Sequence, residues 1–397
     1  MIDCVILVGG RGSRLGSITK KSPKPLLKIK CFSFIDYLLW HVCKFNIKNI
    51  YLIASYKANQ FLEIYNKKKI FNTKIKVIIE KKRNGTAGAL FTIKKKIKND
   101  FILMNGDSFL NINLDKFCKI SQKKNSLINL ALIKNKNYKS NKKLNSLDID
   151  SNCKIFFKKN KYMNAGIYFL KKEFLKMIHN TETSLENDVL PNLIINKKVT
   201  GKIYKRKFFI DIGTKKNLIL AKKKLLFYNK NKAFLLDRDG VINEDRGYIY
   251  KIKDFKILKG TIEAIKFLNK NKYIVCIVTN QSGIGRGLYK EKDLQKLHEY
   301  FQNKLKKYGA QIDNFYFCPY HEIGGIGKYK KKSYFRKPNP GMLIQAINDF
   351  HLNRKKVIMI GDKITDKQAA ENAKVKFYYK EKISLYSQVK KIIFKNK

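Results

Sequence analysis

The chain has 397 residues, too long for one small domain and long enough for two of ordinary size. Apolar residues at 44% and aromatics at 12% exclude a disordered polymer, even though 86 Lys and Arg against 30 Asp and Glu give a formal charge of +56. Only nine of the basic residues are Arg, and the excess is spread over residues 1–232 (51 basic, 14 acidic, net +37) and 233–397 (35 basic, 16 acidic, net +19); this argues against a selected nucleic-acid surface, which favours the Arg fork.

Taken in chain order, short β-rich apolar runs predict strands at Cys4–Val8, Ile50–Ala54, Lys76–Ile79, Phe101–Met104, Leu127–Leu132, Gly166–Leu170, Ala233–Leu236, Tyr273–Val278, Asn314–Phe317 and Lys356–Ile360. Helix-length amphipathic stretches alternate with them, so the fold class is α/β with mainly parallel sheets. A Lys-rich stretch, Ala221–Lys232, reads as a closing helix running into a polar linker. The expected division is a first domain over 1–228, a linker over 229–232 and a second domain over 233–397. Many runs end in Gly, Asp, Asn or Thr, and in open parallel sheets ligands sit beyond those carboxyl ends. The seven Cys are odd in number and lie mostly in apolar runs, as in a reducing compartment. Met1–Val8 has no basic leader and no run approaches a membrane span, so a cytoplasmic protein without a membrane partner is expected.

The first strand runs into Gly9-Gly10-Arg11-Gly12-Ser13-Arg14-Leu15, and Pro23-Lys24-Pro25 follows. Glycines let backbone N–H groups approach phosphate oxygens while Arg14 and Lys24 supply charge; the Lys-Ser/Thr ending of a Walker A loop is absent. These motifs resemble the sugar-1-phosphate nucleotidyltransferases. Gly85-Thr86-Ala87-Gly88 resembles that family's nucleotide-base loop, Asn105-Gly106-Asp107 its metal-binding strand end, Asn164-Ala165-Gly166 its sugar segment, and Ile210-Asp211-Ile212-Gly213 the segment with its second metal aspartate. The resemblance implies nucleotide binding at Gly9, Gly10, Gly12, Arg14, Gly85, Thr86 and Gly88, and Mg²⁺ on Asp107 and Asp211. It also implies sugar-phosphate contacts at Lys159, Asn164 and Glu186, in a Rossmann-like mixed sheet. Plainer roles for the two aspartates are a strand-end turn at Asp107 and a helix N-cap at Asp211. Two positions depart from the pattern: Asn84 where the family often has Leu, and Lys158 where it usually has Glu. The phrasing of the motifs is nearest to heptose-1-phosphate guanylyltransferases, which makes GTP the expected nucleotide.

After residue 232 a fresh strand ends in Asp237-Arg238-Asp239-Gly240. Two carboxylates one residue apart share a face, which suits a nucleophile and its acid–base partner. Thr279-Asn280-Gln281-Ser282-Gly283, Arg336-Lys337-Pro338 and Gly361-Asp362 to Asp366 follow in order, and together they resemble the haloacid dehalogenase phosphatases. The resemblance implies a doubly wound parallel sheet without a large cap. It further implies Asp237 as the nucleophile, Asp239 as the acid and base, and Thr279 and Lys337 as stabilising the phosphoryl group. Mg²⁺ would be held by Asp237, Asp239 and Asp362, with Asp366 supporting, although Asp366 also reads as an ordinary helix N-terminal acid. Asn280, Arg286 and Arg336 would contact the sugar phosphate. The phrasing is similar to heptose-1,7-bisphosphate 7-phosphatases, many of which hold zinc through Cys-x-His and, further on, Cys-x-Cys just before Arg-Lys-Pro. Here Cys318 and His321 face Ser333 and Phe335 in the sequence pattern, so the ligand set is incomplete and zinc is not expected. Heptose phosphates and a nucleoside triphosphate are therefore the expected partners. The alternatives are a hexose-1-phosphate transferase fused to a histidinol-phosphate phosphatase, and a lysine-rich nucleic-acid binder with degenerate enzyme folds.

Overall fold

The computed structural model describes residues 1–29, 32–70, 73–134, 147–158, 161–225 and 232–395. It divides into two compact units, Met1–Leu225 and Leu226–Lys397. Most of the expected linker, 229–231, lies outside the described residues.

In the first unit a mixed sheet has at its centre four parallel strands in the order Phe101–Asn105, Ile2–Leu7, Ile47–Ala54, Thr73–Ile79. They are apolar runs because both faces are covered: Phe101, Ile102, Leu103 and Met104 are all fully buried. Tyr162–Leu170 joins antiparallel beside Phe101–Asn105, and Ile128–Lys134 pairs with its other edge. The register sets Leu7 beside Asn105 and Ile53. The loops leaving these strands therefore meet, with Gly106 N–H donating to Leu7 C=O at 2.9 Å and Val8 N–H to Ile53 C=O at 2.9 Å. A separate two-stranded ribbon pairs Ser108–Leu110 with Phe209–Asp211 and brings two distant segments to the same edge.

The second unit has five parallel strands in the order Asn314–Cys318, Ile274–Asn280, Ala233–Leu236, Val357–Gly361, Lys376–Tyr379. Side chains alternate across the sheet. Phe234, Leu236, Val275, Ile277, Ile358 and Ile360 pack with the helices Thr261–Lys270, Glu291–Lys307 and Leu385–Lys395. Ala233, Leu235, Cys276, Val278, Val357 and Met359 pack with Gly341–Asp349 and Ile364–Asn372. This two-residue period with helices on both faces makes a doubly wound α/β unit. No extra domain interrupts it among the described residues: between the first two strands lie only a short turn, Ile252–Asp254, and the helix Thr261–Lys270.

Each expected strand is present, several beginning earlier than the apolar run because polar residues such as Asn49 and Lys74 continue the pairing. Val199–Ile203 and Lys376–Tyr379 are strands the pattern did not single out. The helix expected from 221 begins earlier, at Lys215, where Thr214 caps it by accepting the Asn217 N–H at 3.2 Å; it is described as far as Lys224, and 226–231 lie outside the described residues. Among the described residues no helix is long and apolar enough to cross a membrane.

Candidate active sites

In the first unit a cleft of about 240 Å³ is lined by Leu7 to Gly10, Lys24, Glu80, Arg83, Gly85, Thr86, Asn105 and Asp107. The ribbon carries Asp211 to the same place: Ile212 N–H donates to Asp107 C=O at 3.0 Å, and Asp211 is paired with Ser108. Asp107 and Asp211, far apart in sequence, share the buried ammonium of Lys24, which is ion-paired with Asp107 and lies 3.8 Å from Asp211. Asp211 is not a helix cap, since Thr214 fills that role; its carboxylate accepts the Gly213 N–H. Burial first, and the Asp107 charge second, hold the Asp211 carboxyl above its ordinary value. The two carboxylates bring oxygen donors together, a ligand type that suits a hard divalent cation. Arg14 stands beside them, within 3.0 Å of where a Gly213 Cβ would be.

Gly85 has φ +73, and a Cβ there would sit 2.4 Å from the Thr183 carbonyl, so only glycine fits this loop. The loop is pinned by Ala87 N–H donating to that carbonyl at 3.0 Å. Glu186 engages protein donors on both oxygens, Thr86 Oγ1 at 2.5 Å and Tyr168 OH at 3.0 Å, so here it braces the Gly85–Gly88 loop against the strand Tyr162–Leu170. Asn164 Nδ2 donates to Tyr168 OH at 2.7 Å, which joins it to the same chain of bonds. Lys159 lies outside the described residues, while its neighbour Lys161 pairs with the buried Asp148 at 2.9 Å. Glu80, which the sequence pattern did not single out, is a buried carboxylate in the cleft wall, accepting the Asn84 N–H at 2.8 Å and raised by its burial. Asn105 Oδ1 is buried there and has no hydrogen-bond partner among the described residues.

In the second unit the carboxyl ends of three adjacent strands supply the chemistry. Asp237, Asp362 and Asp366 offer oxygens within 4.8 Å of one another. Lys337, itself buried, reaches Asp237 at 2.8 Å, Asp366 at 2.5 Å and the Val278 carbonyl at 3.0 Å. Burial raises the Asp237 carboxyl, with Asp366 adding to the effect against the pull of Lys337. Burial alone would lower Lys337, but Asp237 and Asp366 outweigh it and hold the ammonium above its usual value. The oxygens of Asp237, Asp362 and Asp366 make an all-oxygen, electron-rich set that fits Mg²⁺. Gly240 has φ +83, and a Cβ on it would lie 2.3 Å from Asp362 Oδ2, so the turn after Asp239 brings the backbone against the cluster. Asp366 accepts the Lys363 N–H at 3.1 Å at the start of Ile364–Asn372 and pairs with Lys337.

Asp239 is gripped by residues the sequence reading passed over. The fully buried Arg238 donates to both its oxygens at 2.8 Å, Asn243 Nδ2 at 2.9 Å and Gln281 Nε2 at 3.1 Å. Their motif positions, between the two aspartates and two residues beyond Thr279, were the available signal. Asn280 forms two 3.0 Å bonds with the backbone of Lys337, so in this structure its amide braces that residue. Arg336 donates to the Tyr320 carbonyl at 3.2 Å, and Arg286 bonds the His321 ring at 3.1 Å. Cys318 is a fully buried thiol, raised chiefly by that burial.

The nucleotidyl transferase family model matches residues 3–227, and that of the haloacid dehalogenase-like hydrolases matches residues 198–374. Over 146 residues the chain is 47% identical to the D-glycero-alpha-D-manno-heptose-1,7-bisphosphate 7-phosphatase of Burkholderia mallei, spanning 37% of this chain and 77% of that protein. It is 43% identical to the D-glycero-beta-D-manno-heptose-1,7-bisphosphate 7-phosphatase of Haemophilus influenzae, over 37% of this chain and 79% of the relative. A solved structure, HddC from Yersinia pseudotuberculosis, is similar at 29% identity over 57% of this chain and 100% of its own, with a TM-score of 0.48. Matched across its first unit and related across most of its second, the chain belongs to the nucleotidyl transferases and to the haloacid dehalogenase-like hydrolases, a nucleotidyltransferase and a phosphatase in one polypeptide.

Proposed function

We propose that the two units, with domain limits near 1–228 and 233–397, catalyse consecutive steps in making a nucleotide-activated heptose in the cytoplasm. The second unit removes the 7-phosphate of D-glycero-D-manno-heptose 1,7-bisphosphate, and the first transfers a nucleotidyl group from GTP to the resulting 1-phosphate. The observation that carries the reading is the 47% identity to a heptose-bisphosphate phosphatase in a chain whose other part matches nucleotidyl transferases, since the product of one reaction is a substrate of the other. The choice of guanine rests on the phrasing of the first unit's motifs.

In the phosphatase, Asp237 attacks phosphorus to form an aspartyl phosphate while Asp239 gives its proton to the departing sugar oxygen. Asp239 then takes a proton from water as that water attacks the acyl phosphate. Lys337 and Thr279 donate to the phosphoryl oxygens. In the transferase, an oxygen of the sugar 1-phosphate attacks the α-phosphorus and pyrophosphate leaves, with Arg14 and Lys24 offsetting the charge brought together. Mg²⁺ would be held by Asp107 and Asp211 in one site and by Asp237, Asp362 and the Asp239 carbonyl in the other, and when bound it neutralises phosphate oxygens.

Incubation with either anomer of the heptose bisphosphate, Mg²⁺ and GTP should release one phosphate and one pyrophosphate per nucleotide sugar formed, with ATP, CTP, UTP and dTTP giving less. Hydrolysis of histidinol phosphate with no release from either bisphosphate would overturn the heptose assignment, and equal use of all nucleotides would overturn the guanine assignment.

A further inference from the structure

We infer that Gln281, held by the hydroxyl of Tyr289, is a positioning residue of the phosphatase whose amide aligns Asp239 for proton transfer to the departing sugar oxygen. The inference rests on the reading of Asp237 as nucleophile and Asp239 as acid and base.

Gln281 follows the strand Ile274–Asn280 and is 3% exposed. Its Nε2 lies 3.1 Å from Asp239 Oδ2 and 2.9 Å from Thr279 Oγ1, and its Oε1 is 2.6 Å from Tyr289 OH. The chemistry of the partners fixes which way the amide faces. Tyr289 OH donates to the amide carbonyl and Asp239 Oδ2 accepts, so the carbonyl is turned to Tyr289 and the NH₂ to Asp239. The second amide hydrogen goes to Thr279 Oγ1, and the threonine hydrogen is left free for a phosphoryl oxygen. One buried amide thus ties the acid–base residue to the phosphoryl-binding hydroxyl on the neighbouring strand end.

The amide is itself held from behind. The Tyr289 ring is 6% exposed, stacks on Tyr250 with centroids 4.7 Å apart at 11°, and packs with Ile284 and Leu294. A Cβ at Gly283 would come within 2.3 Å of that ring, so the loop glycine is what admits it. Gln281's own backbone is anchored by its N–H donating to Cys318 C=O at 2.8 Å. Arg238 and Asn243 hold Asp239 from the loop side, whereas Gln281 holds it from the strand that carries Thr279. Removing the amide leaves Asp239 held from the loop side alone, without its tie to the strand end that carries Thr279.

As phosphoenzyme forms, the bond from phosphorus to the sugar oxygen breaks, the bond from Asp237 to phosphorus forms, and the Asp239 proton passes to the sugar oxygen. An alkoxide needs that proton, whereas p-nitrophenolate leaves without it. The test uses the full-length protein as Gln281→Leu and Tyr289→Phe, comparing kcat/KM, which covers the steps through phosphoenzyme formation, for heptose bisphosphate and p-nitrophenyl phosphate. Gln281→Leu should lose about 10²-fold on the sugar phosphate and only a few-fold on the aryl phosphate. Tyr289→Phe, which keeps the ring and its stacking, should show the same selectivity at roughly 10-fold. Equal losses on both substrates, or none, would overturn the inference. Asp237→Asn is the control: aryl hydrolysis surviving in it would remove the nucleophile assignment itself, whatever the Gln281 variant does.

Discussion

At Gly240 a single hydrogen atom in place of a side chain decides whether the phosphatase cluster can form. Alanine there must adopt a φ near +83 and place its Cβ 2.3 Å from an Asp362 oxygen, so either the turn or the carboxylate has to move. Gly240→Ala should cost about 1–3 kcal/mol of stability in the second unit. It should also lower phosphate release by about 10²-fold, the usual effect of an ångström's misplacement. Pyrophosphate release from supplied heptose 1-phosphate should stay within two-fold of the parent. Loss of both reactions together would mean the substitution acts by unfolding and not on Asp362. The same scale explains what sequence reading reached. Asp107, Asp237 and Asp362 stand directly at or just beyond apolar strands and were legible as strand-end carboxylates. Gln281 and Glu80 were not, because an amide or a carboxylate acquires its role from partners such as Asp239, 42 positions away, or from burial, and neither is written in the local pattern.

The helix Phe34–Cys43 shows how an element can carry a condition on stability. It is capped by Ser33 and Asp36 in a reciprocal box, and its inner face includes His41, which is buried between Phe45 and Phe109 with ring centroids 5.3 and 5.2 Å away. Burial, with Lys44 adding to it, lowers the His41 imidazole to about 3. The folded state therefore keeps this ring neutral, while the unfolded chain takes up a proton below about pH 6.5. The stabilisation is complete above that value and is lost as pH falls towards 3, about 2 kcal/mol of it by pH 5. The single Trp of the sequence, Trp40, sits on the same helix and reports its unfolding. Denaturant unfolding followed at Trp40 should be more acid-sensitive between pH 7 and 5 in the parent than in His41→Phe by about that amount; identical pH dependence would contradict the assignment. The ten expected strands were readable from apolar runs, but their ends and strands such as Val199–Ile203 and Lys376–Tyr379 were not, since backbone pairing extends through polar residues and the ribbon of Ser108–Leu110 with Phe209–Asp211 joins segments about 100 residues apart.

For the whole molecule, the +56 charge and the chemistry point in opposite directions. A diffuse positive field raises the local concentration of phosphorylated substrates and fades with salt. The proposed reactions, however, would depend on Asp107, Asp211, Asp237, Asp239 and Asp362, five of only 30 acidic residues, each brought to a strand end or the loop beyond it by its own unit. The central claim is that these form two independent sites for successive reactions. The direct measurement is to assay Asp237→Asn and Asp107→Asn separately for phosphate release from heptose 1,7-bisphosphate and for pyrophosphate release from GTP with heptose 1-phosphate. Asp237→Asn should lose about 10³-fold or more of the first and keep the second, Asp107→Asn should do the reverse, and an equal mixture of the two variants should again convert bisphosphate to nucleotide sugar. Either variant silencing both reactions while remaining folded would contradict the account.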